Sequence, residues 1–255
     1  IDLVVGRGNR PLEILLNDGS GNFTPGQTLA TNGQYTKREI CAGDIDHDGD
    51  QDILWGNQTL GGGLWLAENG GGTFAAPVEL YHSKADDPVL ACLDADPHLD
   101  VAFHRHSTPE LVVLLGQGDG TFQSPLTHAA PTAMPLADLA VAEIDGDGDP
   151  DLAVIEACDY PEVWALMNQG DGDFGDAVMV AYGAAEIGLG LIEPDLNGSG
   201  CGDHVMLRDA SVRSVFWNDC SVDLEDYENL LPLARPLDLT AADLDGDTDL
   251  DVIYA

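Results

Sequence analysis

Aspartate at alternate positions gives this chain its most distinctive chemistry. In Asp44-Ile45-Asp46-His47-Asp48-Gly49-Asp50-Gln51-Asp52, carboxylates stand at relative positions 1, 3, 5 and 9, and a Gly at 6 permits a sharp turn. Like charges this dense repel unless a cation sits among them. A hard divalent ion with six to eight oxygen ligands at roughly 2.3–2.6 Å suits the pattern. Four side chains and the main-chain carbonyl of position 7, here Asp50, could wrap one Ca2+. The alternative is a solvated acidic loop held by side-chain-to-backbone hydrogen bonds. It loses ground because the pattern recurs.

Asp243, Asp245, Asp247 and Asp251 form a second full set, with Asp249 offering the carbonyl and Thr248 replacing the Gly. In a third loop Glu143 takes position 1, followed by Asp145, Asp147 and Asp151, with Asp149 at position 7. A fourth, Asp195, Asn197, Ser199 and Asp203 with the Cys201 carbonyl, carries only two charges and is expected to bind more weakly. The weakest is Asp94, Asp96 and Asp100 with the His98 carbonyl, where Cys92 holds position 1 and Pro97 replaces the Gly. The expectation is three to five Ca2+ ions, each coupling its binding to folding.

These loops must be held by something that repeats with them. Asp2, Asp52, Asp100, Asp151, Asp203 and Asp251 each precede a short apolar run, 48 to 52 residues apart. Phe23, Phe74, Phe122 and Phe174 keep the same beat after Gly-rich turns. Each period reads as four short strands: A before the acidic loop, B after it, C, and D after the Phe. The third such copy would place them near 139–144, 151–156, 163–167 and 177–182. Sister C strands are read at 13–16, 63–66, 111–115 and 214–217. No long 3.6-residue periodicity appears, so helices should be scarce. The fold expected is all-β, a β-propeller of four-stranded antiparallel blades, with about five repeats in one domain over 1–255. The strands number five A, six B, five C and five D. This favours a longer, seven-bladed parent over a terminal hairpin that pairs with a neighbour.

The D-x-D-x-D-G-x-x-D loops, the Asn168-to-Phe174 turn, and Phe-x-x-Pro at Phe74–Pro77 and Phe122–Pro125 resemble the FG-GAP/VCBS repeat family. Integrin α-subunit heads are one branch of it. The resemblance implies a propeller with structural Ca2+ in the A–B loops, used for adhesion or recognition more often than catalysis.

The formal charge of −37 comes from 46 acidic residues against nine Lys and Arg. Nucleic acid and anionic membrane are therefore poor partners. Adaptation to high salt is a second source of such charge. The apolar content of 44% argues against disorder, and no apolar run reaches the ~20 residues that span a bilayer. No nucleophile elbow, phosphate loop or zinc-protease helix is present, and calcium accounts for the paired carboxylates, so a non-enzymatic role is expected. A module of a secreted hydrolase or lyase is an alternative. So is a lectin-like glycan binder using Trp55, Trp65, Trp164 or Trp217, although the last three are read as core.

Cys201 and Cys220 fall in loops at the same end of one blade and are expected to form a disulfide. Cys41 could pair with Cys92, and Cys158 is read as free. Millimolar calcium outside cells and the disulfide place the protein in the extracellular space or at the cell surface. His104 and His106, two apart on one face of a strand and in the same period as His98, could suggest a transition-metal site, but no third ligand for that pair is evident and a solvated strand end is the better reading. Sorting by loop sends Arg7, Arg10, Arg105 and Arg208 to the end of the blades opposite the acidic loops. Tyr35, Tyr81, Tyr160 and Tyr182 join them. This Arg/Tyr face is the expected site for a protein or glycan ligand, and opposite faces of opposite sign favour head-to-tail self-association.

Overall fold

Short Val-, Leu- and Ile-rich runs closed off by Gly, Asp, Asn and Pro favour brief strands joined by turns. The computed structural model has strands and turns and no helix among the described residues. It describes residues 2–6, 10–30, 40–57, 62–105, 108–158, 162–182, 188–192, 194–208, 213–220, 227–230, 239–246 and 250–254.

β1 (Leu3–Val5), β2 (Leu12–Asn17) and β3 (Phe23–Leu29) form the first sheet. The second contains β4 (Ile40–Gly43), β5 (Asp52–Trp55), β6 (Leu64–Ala67) and β7 (Val78–Tyr81). In the third are β8 (Ala85–Ala91), β9 (Asp100–Arg105), β10 (Glu110–Leu114) and β11 (Leu126–Ala129). A fourth holds β12 (Leu136–Ala142), β13 (Asp151–Glu156), β14 (Glu162–Asn168) and β15 (Phe174–Tyr182). The fifth holds β16 (Gly188–Ile192), β17 (His204–Arg208), β18 (Arg213–Phe216) and β19 (Tyr227–Leu230). Last comes the pair β20 (Leu239–Ala242) and β21 (Asp251–Tyr254). Strands consecutive in sequence are neighbours in every sheet, so the expected A–B–C–D order holds throughout. The antiparallel register puts Val154 opposite Trp164 in the fourth sheet and Trp55 opposite Trp65 in the second.

The chain divides into two compact units, one of Ile1–Leu90, Pro97–His106 and Val112–Pro125, the other of Ala91–Asp96, Ser107–Leu111 and Leu126–Ala255. In the first unit, Leu54, Leu64, Val101, Phe103 and Val112 pack as one cluster, and Leu12, Leu29, Ile53 and Trp55 as another. In the second, Ile144, Ala153, Ile155, Val163 and Leu191 pack together. Burying such side chains contributes about 1.5–3 kcal/mol each, enough to set which face of each strand turns inward.

Several expectations change at the level of side chains. Trp55 is fully buried and unavailable to a glycan, whereas Trp217 lies just past β18 and is 36% exposed. His104 is buried, with Nε2 2.9 Å from an Asp87 carboxylate oxygen, so it is not at a solvated strand end. His106 lies outside the described residues. Cys41, Cys92 and Cys158 are in no disulfide, so the Cys41–Cys92 pairing is not formed, and burial pushes the Cys41 thiol up to about 12. Cys201 and Cys220 form the disulfide.

Candidate metal centre

Each acidic loop joins the first two strands of a sheet. Loop 44–52 lies between β4 and β5, 92–100 between β8 and β9, and 143–151 between β12 and β13. Loops 195–203 and 243–251 follow β16 and β20. The turns are built largely by their own side chains. Asp48 N donates to Asp46 Oδ1 at 3.1 Å, Asp50 N to Asp48 Oδ1 at 2.9 Å, and Gly49 N to Asp44 Oδ2 at 3.1 Å. Gly49 has φ of 94°, the left-handed conformation that the Gly at position 6 was read to supply.

These bonds use only some of the carboxylate oxygens. Asp44, Asp46 and Asp48 each keep one oxygen within 4.8 Å of the others. Asp44 Oδ1 is buried and has no hydrogen-bond partner. A buried carboxylate oxygen without a donor is costly, and a hard cation between it and the Asp46 and Asp48 carboxylates would satisfy it. The residues therefore fit Ca2+. Glu143, Asp145 and Asp151 make a second trio of this kind, and Asp243, Asp245 and Asp251 a third. Asp147, read as a ligand of the second set, lies outside its trio and accepts from Asp149 N at 2.9 Å. Asp247 and Asp249 lie outside the described residues. The side chain at position 7, read only for its carbonyl, has work of its own: Asp50 Oδ2 accepts from Gly71 N at 2.6 Å and ties the loop to the next turn.

Position 9 has a double role. Asp151 Oδ2 accepts from Ile144 N at 2.9 Å and Oδ1 from Asn168 N at 2.8 Å. Asp52 does the same with Ile45 N and Asn69 N, and Asp203 with Leu196 N and Asn218 N. Asp100 accepts from Gly116 N at 2.7 Å and Asp2 from Asn17 N at 2.8 Å. One carboxylate thus clamps the start of the A–B loop to the end of strand C. Asp52, Asp100, Asp151 and Asp203 are completely buried. Burial drives the Asp52, Asp151 and Asp203 carboxyls above the usual range, Asp151 to about 6, although their backbone donors pull the other way.

The asparagine that receives this clamp reaches further. Asn168 Nδ2 donates to Leu93 O and Pro150 O, and Asn218 Nδ2 to Ile144 O and Gly202 O. Each therefore bridges its own acidic loop and position 2 of the preceding one. The missed signal was an Asn 15 or 17 residues after Asp2, Asp52, Asp151 and Asp203, at Asn17, Asn69, Asn168 and Asn218; Asp100 has Gly116 instead.

Loop 195–203 is braced differently. Asn197 Nδ2 donates to Asp203 Oδ1 and Asn218 O, and Ser199 Oγ donates to Asn218 O at 2.9 Å. With Cys201 in the disulfide, this loop is held by side-chain donors and a covalent bond. Asn197 Nδ2 and Ser199 Oγ, read as belonging to ligand residues, act here as donors, while Asn197 Oδ1 accepts from Ser199 N and Ser199 Oγ from Cys201 N. In loop 92–100, Asp94 Oδ1 accepts from Asp96 N at 2.9 Å, Asp94 forms a β-bridge with Asp171, and His98 faces His47.

At the other end of the blades, Arg10 is exposed, and Arg105 Nη2 lies 3.5 Å from Ser83 Oγ. Tyr81 packs edge-on against Phe103, with ring centroids 5.0 Å apart, and belongs to the core. Tyr182 and Arg208 close β15 and β17, while Arg7, Tyr35 and Tyr160 lie outside the described residues.

A family model described as FG-GAP-like repeat matches residues 1–55 and 93–154, and one described as FG-GAP repeat matches 38–73. No curated protein sequence matches the chain. Among solved structures, BBS1N in its complex with ARL6DN is 10% identical over 99% of this chain and 71% of its own, with a TM-score of 0.64. A lectin of Agrocybe aegerita that recognises non-reducing terminal N-acetylglucosamine is 17% identical, over 91% and 80% of the two chains, with a TM-score of 0.46. The Tc holotoxin pore of Photorhabdus luminescens is 18% identical over 99% of this chain and 12% of its own, at 0.49. The likeness to BBS1N is one of fold, a β-propeller of four-stranded blades. On its repeats and its blades together, the chain belongs to the FG-GAP repeat family.

Proposed function

We propose that this chain is a calcium-stabilised, non-enzymatic extracellular propeller module. Its role is recognition or adhesion, with the end of the blades opposite the acidic loops presented to a protein or glycan. The observation that carries the calcium reading is the buried, partnerless Asp44 Oδ1 among converging carboxylates, with the trio repeated at 143–151 and 243–251. The disulfide and the calcium available outside cells support the location. The exposed Arg10 supports a partner at the opposite end. Calcium titrated calorimetrically into metal-stripped protein should reveal three sites. Each stabilises the fold by about 2.7 kcal/mol at a hundredfold excess over its Kd. No binding heat, with melting curves identical in calcium and in chelator, would overturn the proposal. A glycan array run with and without calcium then separates a glycan partner from a protein one.

A further inference from the structure

The two histidines that do meet come from different repeats. His47 Nε2 and His98 Nδ1 are 2.8 Å apart, with ring centroids separated by 4.8 Å and planes inclined at 65°. His47 is position 4 of its acidic loop, and that position is left-handed in every described loop built on the same turn. The other loops place Gly there: Gly146 at φ 86°, Gly198 at 71° and Gly246 at 83°. His47 adopts 59° with a full side chain. A non-Gly residue held in this region costs on the order of 1–3 kcal/mol and is a pointer to a role for its side chain. Across from it, a Cβ on Gly118 would lie 2.3 Å from His98 Nδ1, so only Gly leaves room for the ring. The charge of Asp119, next in that turn, interacts with His98.

Two ligands of one ion with metal–nitrogen bonds of about 2.0–2.1 Å stand about 2.9 Å apart at a right angle and about 3.3 Å apart at the tetrahedral angle. The pair needs to open by only a few tenths of an ångström, with the rings turned so that both nitrogens face an ion set to one side of the line between them.

We propose that His47 and His98 form a transition-metal site of the imidazole-preferring class (Zn2+, Ni2+ or Cu2+), separate in chemistry from the all-oxygen calcium loops. In the metal-free pair one ring donates N–H to the bare nitrogen of the other. On binding, the donor ring moves that proton to its other nitrogen, and both lone pairs turn to the ion. The remaining positions are left to water or to a carboxylate such as Asp119. An ion held there would pin the acidic loops 44–52 and 92–100 to each other, and its open positions would accept a histidine or carboxylate from outside.

The test is calorimetric titration of Zn2+, and separately Ni2+, into the full chain in excess Ca2+, which keeps the acidic loops occupied. One site is expected in the parent, at least tenfold weaker in His47→Gly and in His98→Ala. His47→Gly restores the residue the other loops carry at that place, so its fold and calcium titration should match the parent, and this comparison separates loss of the histidine from loss of the loop. Absence of Zn2+ and Ni2+ binding in the parent, or binding that both variants retain at parental strength, would overturn the site. Neither result touches the calcium reading, which is followed by its own titration.

Discussion

Replacing Asp151 by Ala tests whether position 9 is a clamp as well as a ligand. The substitution removes the acceptor of two buried backbone donors, Ile144 N and Asn168 N. Each unsatisfied buried group costs about 1–3 kcal/mol, so the gross loss is about 2–6 kcal/mol without any metal. The carboxyl itself is driven up to about 6 by burial, so at neutral pH it is held ionised in an unfavourable place. Removing it returns part of that loss and leaves a net destabilisation of about 1–4 kcal/mol. At about 2–4 °C per kcal/mol for a chain of this size, the melting temperature falls by roughly 2–15 °C in metal-free buffer. Asp145→Ala is the control in the same loop. Asp145 is exposed and belongs to the same trio, yet its carboxylate accepts only a long bond from Asp147 N, at 3.2 Å. Its loss should shift the metal-free melt within the ±0.5 kcal/mol typical of surface positions and show itself only in calcium. Thermal melts of parent and both variants, in calcium and after metal stripping, read the difference. If metal-stripped Asp151→Ala melts with Asp145→Ala, the clamp carries no weight and the reasoning fails.

Two further outcomes follow from the same loops. The Asp151 carboxyl has a folded value of about 6, above its ordinary 3.8. Its contribution is therefore fully present below about 4 and lost as pH rises through 6, and Asp52 and Asp203 shift in the same direction. Metal-stripped protein should accordingly melt higher at pH 5 than at pH 7.5, and calcium should reverse the order; a stripped protein that is less stable at pH 5 would refute this. Reduction of Cys201–Cys220, 19 residues apart, should cost on the order of 3 kcal/mol. Calcium stoichiometry should stay unchanged, because loop 195–203 is braced by its own donors; loss of a calcium site on reduction would show that the loop is a ligand set after all.

The period of about fifty residues made the fold legible, since strand order inside each repeat follows from chain order once hairpins are short. Spacing at alternate positions made the acidic loops legible too. What spacing could not show is which partner an oxygen chooses. Asp44 and Asp52 are both aspartates of one motif, yet one keeps a bare buried oxygen and the other spends both on backbone donors. That choice depends on the end of strand C, 17 residues away at Asn69. His98 was legible as a candidate ligand but not its partner, which lies 51 residues back in another repeat. His104 shows the reverse: its neighbours in sequence suggested solvent, while Asp87 on the adjoining β8 holds it inside.

Loop 195–203 separates what makes the turn from what braces it. Gly198 and Gly200, with φ of 71° and 94°, repeat Gly146 and Gly148 at 86° and 97°. Asp195 receives Gly200 N much as Glu143 receives Gly148 N, and Asp203 clamps its strand as Asp151 does. The backbone is the same whether the interior holds converging carboxylates or the donors of Asn197 and Ser199 beside a disulfide. The turn is therefore set by left-handed glycines, side-chain-to-backbone bonds and the buried clamp, all local to the repeat. What differs between repeats is how the polar interior can be satisfied: on the proposed calcium reading by a cation where acceptors face one another, and by internal donors and a covalent bond in loop 195–203. Calcium, on this reading, braces a loop the chain has already shaped.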